Sequence, residues 1–88
     1  MITRVVAVAA ATPKMIATTG FGDPVFIENE GADVLYIGGT NAVTNLTGFA
    51  IQVAPNVLSR IDLKDYAGEI WGYSTAGCSV RLIENISG

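Results

Sequence analysis

The chain has 88 residues, half of them apolar and 15% charged, with five basic against eight acidic residues, no histidine and one cysteine. This describes one small domain, hydrophobic enough for a core and too poor in charge to be disordered. Five scattered cations cannot neutralise a phosphate track, which argues against nucleic acid as a partner, and the missing histidine and single cysteine exclude His-based catalysis, His/Cys zinc sites and an intrachain disulfide.

Val, Ile and Thr make up 26 of the 88 residues, and ten Gly and three Pro interrupt them at short intervals. β-branched side chains lose rotamer freedom in a helix and pack well on a pleated surface, so short strands separated by tight turns are expected. The first predicted strand is Thr3 to Ala10, apolar on both faces and stopped by Pro13. Lys14 to Thr18 is a second, and Gly20-Phe21-Gly22-Asp23-Pro24 a turn. Val25 to Asn29 forms a third, with Val25 and Ile27 on one face and Phe26 on the other. Glu30-Gly31-Ala32-Asp33 has the chemistry of a tight hairpin loop into Val34 to Ile37.

Thr40 to Gly48 reads as a loop before a short strand ending at Val53. After the Ala54-Pro55-Asn56 turn, Val57, Ser59, Ile61 and Leu63 alternate with Leu58, Arg60 and Asp62. Lys64 to Gly68 is a polar loop, and Glu69 to Ser74 a strand with Trp71 and Tyr73 on one face and Gly72 on the other, where a neighbouring backbone could approach. Thr75-Ala76-Gly77 turns the chain into Cys78 to Glu84, with Cys78, Val80 and Leu82 on one face. The expected fold is all-β: a small antiparallel β-sandwich, jelly-roll-like or barrel-like, of about seven or eight short strands with negligible helix. Residues 1–12 are expected as an N-terminal strand or arm and residues 13–88 as a single sandwich domain.

No pattern points to catalysis. Most of the carboxylates fall in turns or on outward strand positions; Asp62, Asp65 and Glu69 lack the spacing of a calcium loop. Gly20-Phe21-Gly22 and Gly38-Gly39-Thr40 lack the Lys and following helix of a phosphate cradle. Cys78 reads as a small buried hydrophobe. We expect no enzyme activity, cofactor, metal or small-molecule substrate. The apolar run Val5 to Ala11 is too short for a membrane span and makes a poor signal sequence after a single Arg, so no membrane association is expected, and the sequons at Asn45 and Asn85 read as chance matches.

What remains is apolar surface. Forty-four apolar residues exceed what one small sandwich can enclose, although eleven are alanines, so the expectation is assembly with other protein surfaces. The candidate interface residues are Ile2, Arg4, Val6 and Val8 on the first strand, with Tyr36, Trp71 and Tyr73 on later ones. Tyr and Trp suit such a role because they bury a large area and keep a polar group for a hydrogen bond. Stacking of sugars by Tyr36, Tyr66, Trp71 and Tyr73 is a second use of the same rings.

From Val25 onward the order of motifs resembles a family of small tailed-bacteriophage virion β-sandwich proteins of the head decoration (cement) or head fibre type. The motifs are Val25-Phe26-Ile27-Glu28-Asn29, then Val34-Leu35-Tyr36-Ile37-Gly38-Gly39, Val43-Thr44, Gly48-Phe49, the strand from Pro55 to Asp62-Leu63, Ile70-Trp71-Gly72-Tyr73, Gly77, and Val80-Arg81-Leu82-Ile83-Glu84. The family's Pro-Gly before the alternating strand is here Pro55-Asn56. The resemblance implies a structural protein made in the host bacterial cytoplasm and carried on the capsid surface. It would bind the major capsid protein and brace capsomer joints as a homo-oligomer, a homotrimer matching the local threefold positions of such a shell. The alternative is a receptor- or glycan-binding head-fibre or tail accessory module. The N-terminal strand, Ile2 to Ala10, lies outside the resembling region and is expected to pair with a neighbouring subunit by β-addition.

Overall fold

The computed structural model describes residues 2–18, 25–61 and 69–84, and among these the β-branched runs form eight strands and no helix. They are β1 (Ile2–Val8), β2 (Lys14–Thr18), β3 (Val25–Asn29), β4 (Leu35–Gly38), β5 (Ile51–Val53), β6 (Leu58–Ile61), β7 (Glu69–Tyr73) and β8 (Cys78–Glu84). The expected turn at residues 20–24 and loop at residues 64–68 lie outside the described residues, as do Asp62, Leu63, Tyr66 and the sequon at Asn85.

Two four-stranded antiparallel sheets result, one in the order β1-β8-β3-β6 and the other β2-β7-β4-β5. The pairing has a simple logic. β1 pairs with β8, β2 with β7, β3 with β6 and β4 with β5, as though the whole chain were one long hairpin closing at residues 39–50. That hairpin is rolled so that β3 also meets β8 and β4 also meets β7. This winding is the eight-stranded jelly roll, a β-sandwich of two Greek keys.

Only the β4–β5 connection stays within one sheet. The Glu30–Asp33 segment is therefore not the expected hairpin loop: it carries the chain from one sheet to the other. Asn29 explains why. It takes the third inward position of β3 after Val25 and Ile27 and is fully buried. Its side-chain amide donates to the carbonyls of Asp33 (2.7 Å) and Val53 (3.0 Å), and its Oδ1 accepts from the Gly31 N–H (2.9 Å). A buried amide satisfied on three sides bends the chain away from its own sheet and ties it to β5 in the other. The Asp33 carboxylate then accepts from the Ala76 N–H (2.9 Å) and the buried Ser74 hydroxyl (3.2 Å), locking this arch to the β7–β8 turn. In that turn Gly77 has φ +87°, a conformation a side chain resists, and it lies against the backbone of Val8 and Ala10.

Among the described residues the core is aliphatic: Val8, Val25, Ile27, Ile61, Val80 and Leu82 from one sheet and Ile16, Leu35, Ile37, Val53 and Ile70 from the other; Val43 of the 39–50 loop is buried apart from this cluster, against Gly38. Burying each contributes roughly 1.5–3 kcal/mol relative to exposure. The approach expected at Gly72 is made by side chains rather than backbone: Ile16 and Leu35 fill the space its missing Cβ leaves.

Candidate functional site

Alternation along β4 and β7 sends Leu35, Ile37 and Ile70 inward and turns Tyr36, Trp71 and Tyr73 outward. Register then gathers the three rings. Tyr36 stands opposite Tyr73, and Trp71 stands between Gly38 of β4 and Met15 of β2. Gln52 of β5 lies opposite Tyr36 on its other side. Side chains facing each other across strands sit close enough to touch.

Two local contacts fix the rings. The Trp71 indole N–H donates to Glu69 Oε1 at 3.0 Å, from a residue two positions back on the same face. The Phe49 ring meets Tyr36 edge-on, with centroids 5.2 Å apart and planes at 62°, a geometry worth about 0.5–1.5 kcal/mol beyond burial. The 39–50 loop walls this surface. Gly38 has no side chain, and Val43 and the Gly48 carbonyl close onto the space. Beyond it, Thr44 and Thr47 hydrogen-bond each other's backbone and hydroxyl groups, and Leu46 between them is 80% exposed.

The result is an aromatic shelf on the outside of the β2-β7-β4-β5 sheet. All five described aromatic residues lie outside the core; four of them, Tyr36, Phe49, Trp71 and Tyr73, share this surface, and Phe26 lies on the outer face of the opposite sheet. That opposite face has a different character: Arg81 sits between Glu28 (3.7 Å) and Glu30 (3.0 Å), and charge is laced through its centre.

The candidate residues of the first strand do not join the shelf. β1 is not a detached arm: it pairs with β8 along its whole length, Ile2 opposite Glu84 through Val8 opposite Cys78. Val8 is 3% exposed and belongs to the core, and Val6 packs against that core. Arg4 lies on the same side and donates to the Ile16 carbonyl of β2 at 3.0 Å, bridging the two sheets. The outward members of β1 are Thr3, Val5 and Ala7. The physical reason is the winding itself, which needs the first strand to pair with the last. Phe49, Met15 and Gln52 are shelf residues that local alternation does not reveal, because only cross-strand register and the loop's return bring them there.

Two described groups, Asp33 and Cys78, are shifted from their ordinary values by their surroundings. Backbone N–H groups of Ala76, then Val34, and the Ser74 hydroxyl hold the Asp33 carboxyl below its ordinary range. Burial pushes the Cys78 thiol up, the Asp33 charge adds to this, and a Ser74 hydrogen bond opposes it. A raised thiol at a half-buried position is a poor nucleophile. Among the described residues no group of three or more His, Cys, Asp or Glu is placed to hold a metal ion, and no helix is long and apolar enough to cross a membrane.

Fold and surface together define an eight-stranded antiparallel β-sandwich with an outward aromatic sheet face. Compared with protein families, curated proteins and solved structures, the chain matches none of them.

Proposed function

We propose that this chain is a structural virion protein, a bacteriophage capsid decoration (cement) protein that binds the outer capsid surface and stabilises capsomer joints. The observation that carries the proposal is the segregation of side chains. Among the described residues the core is aliphatic, while Tyr36, Phe49, Trp71 and Tyr73 are kept on one outer surface. Rings placed there add little to the interior and suit a protein contact, where Tyr and Trp are enriched. The motif order over residues 25–84 supplies the virion context, and the partner on this reading is the major capsid protein. Many symmetric copies on a shell multiply a modest contact through avidity.

The same shelf supports the alternative of a glycan- or receptor-binding head-fibre or tail module, since Trp71, Tyr73 and Gln52 offer ring faces beside an amide. Co-sedimentation with expanded, DNA-free capsids separates the two. Trp71 is the single tryptophan, so its fluorescence also reports occupancy of the shelf. Binding to capsids, weakened at least about 30-fold by Trp71→Ala at unchanged melting temperature, is the expected result (about 2 kcal/mol for one hot-spot aromatic). Absence of capsid binding, with glycan binding by the isolated protein, refutes the decoration reading in favour of the alternative.

A further inference from the structure

The four sheet edges are not equally protected. β5 has three residues; β6, as described, has four and carries the exposed Arg60. β2 follows Pro13, begins with the exposed Lys14 and has an irregular register between Met15 and Ala17. Shortness, charge, proline and bulges are the devices by which proteins blunt an edge against pairing. β1 is neither short nor interrupted. It runs seven residues in unbroken register with β8, contains no proline, and has Val5 59% exposed at its centre. Its single charged side chain, Arg4, is turned across to the Ile16 carbonyl of β2.

We propose that β1 is a subunit joint, and that its occupant is β1 of a second copy of this chain, paired antiparallel about a two-fold axis through Val5. In that register Val5 faces Val5, Arg4 faces Val6, Thr3 faces Ala7 and Ile2 faces Val8. No like charges stand directly opposite, because Arg4 falls across from Val6 and its guanidinium is engaged at the Ile16 carbonyl. The outer row, Thr3-Val5-Ala7 against its own reverse, is β-branched and small throughout. The two β1-β8-β3-β6 sheets join into one eight-stranded sheet. Self-pairing closes after two copies, whereas pairing β1 with the far edge β6 would propagate without end and would meet Arg60. A two-fold dimer thus replaces the threefold assembly expected from resemblance, and it leaves the aromatic shelf on the other sheet free. The inference does not depend on the capsid proposal.

Seven paired residues make a small interface, below about 1,200 Å² in total, so association is reversible and concentration-dependent. Light scattering from about 1 µM to about 1 mM should show the mass rising from 9.2 kDa towards twice that value. Val5→Lys places like charges face to face and should hold the mass at 9.2 kDa throughout, with the melting temperature of the dilute protein unchanged. Geometry is tested in a Cys78→Ser background. Val5→Cys brings two thiols opposite each other at Cα separations of about 4.5–5.5 Å, within disulfide range, and should give a covalent dimer on mild oxidation. Thr3→Cys alone lies about 13 Å along the strand from its mate and should not cross-link. A monomer at the highest concentration, a trimer, or a dimer that Val5→Cys fails to trap would each overturn the proposal.

Discussion

Gly72 offers the sharpest test of how the inner face of the β2-β7-β4-β5 sheet packs. A Cβ added there would sit 2.5 Å from Ile16 Cδ1, 3.1 Å from Leu35 Cδ1 and 3.4 Å from Ile16 Cγ1. Ile16 and Leu35 are 2% and 0% exposed, so neither can swing into solvent to make room. Overpacking by one methyl group in such a core costs about 2 kcal/mol. Replacing a strand glycine by alanine returns about 0.5–1 kcal/mol of backbone entropy. Gly72→Ala should therefore destabilise the domain by about 1–1.5 kcal/mol, which lowers the melting temperature by roughly 4–12 °C at this size. The clash is chiefly with one atom. Ile16→Val removes that Cδ1 and by itself costs about 0.5–1.5 kcal/mol. In the double variant the new methyl occupies the vacated space, and Leu35 needs to yield only a few tenths of an ångström. The double variant should consequently be more stable than the sum of the single losses by about 1 kcal/mol, a coupling typical of contacting residues. Thermal melts and urea titrations of the four proteins complete the cycle. Additive losses would mean that Ile16 does not fill the space over Gly72, and the packing described here would be wrong.

Three further outcomes follow from the polar lock at one end of the sandwich. Asn29→Leu strips the buried Val53 carbonyl, and the half-buried Asp33 carbonyl and Gly31 N–H, of their partner; at about 1–3 kcal/mol for an orphaned buried group, a loss of about 2 kcal/mol or more should appear in the urea midpoint, and a shift under about 1 kcal/mol would remove Asn29 from its role in the arch. The Asp33 carboxyl is depressed in the folded protein, so its stabilising contribution is present above the unfolded carboxyl value and is lost as pH falls through the lower folded one. Below about pH 4, Asp33→Asn should flatten the loss of stability relative to the wild type; parallel acid limbs would contradict this. Cys78, raised chiefly by burial, should react with an aromatic disulfide reagent more slowly than a free thiol at pH 8 and speed up in urea, whereas fast labelling of the native protein would show an accessible thiolate.

The eight strands were legible from side-chain type and period, and their ends moved by only a few residues. β1 stops at Val8 rather than Ala10, since Ala11 turns at φ 52° before Pro13 is reached, and β5 begins at Ile51 rather than Phe49. Inward and outward faces were equally readable where the period was clean: Val25 and Ile27 against Phe26, Val80 and Leu82 against Arg81, Trp71 and Tyr73 against Gly72. Alternation is a property of one strand and its own residues, so local order suffices to state it.

Which sheet a strand joins is decided elsewhere. β1 finds β8 across most of the chain, and nothing within Ile2–Val8 announces that its Arg4 side will face a core and its Val5 side the solvent. The Glu30–Asp33 turn carries hairpin chemistry, yet it crosses between sheets because Asn29, buried at the end of β3, is satisfied only by groups from the far sheet and from beyond the turn. The shelf divides in the same way. Its Trp and Tyr positions were set by the chain's own pleat, while Phe49, Met15 and Gln52 arrive through register and a folded-back loop. Sequence by itself determined the strands and their greasy faces; the three-dimensional wrapping alone decided which faces meet, because hydrogen-bond partners and burial depend on residues far apart along the backbone.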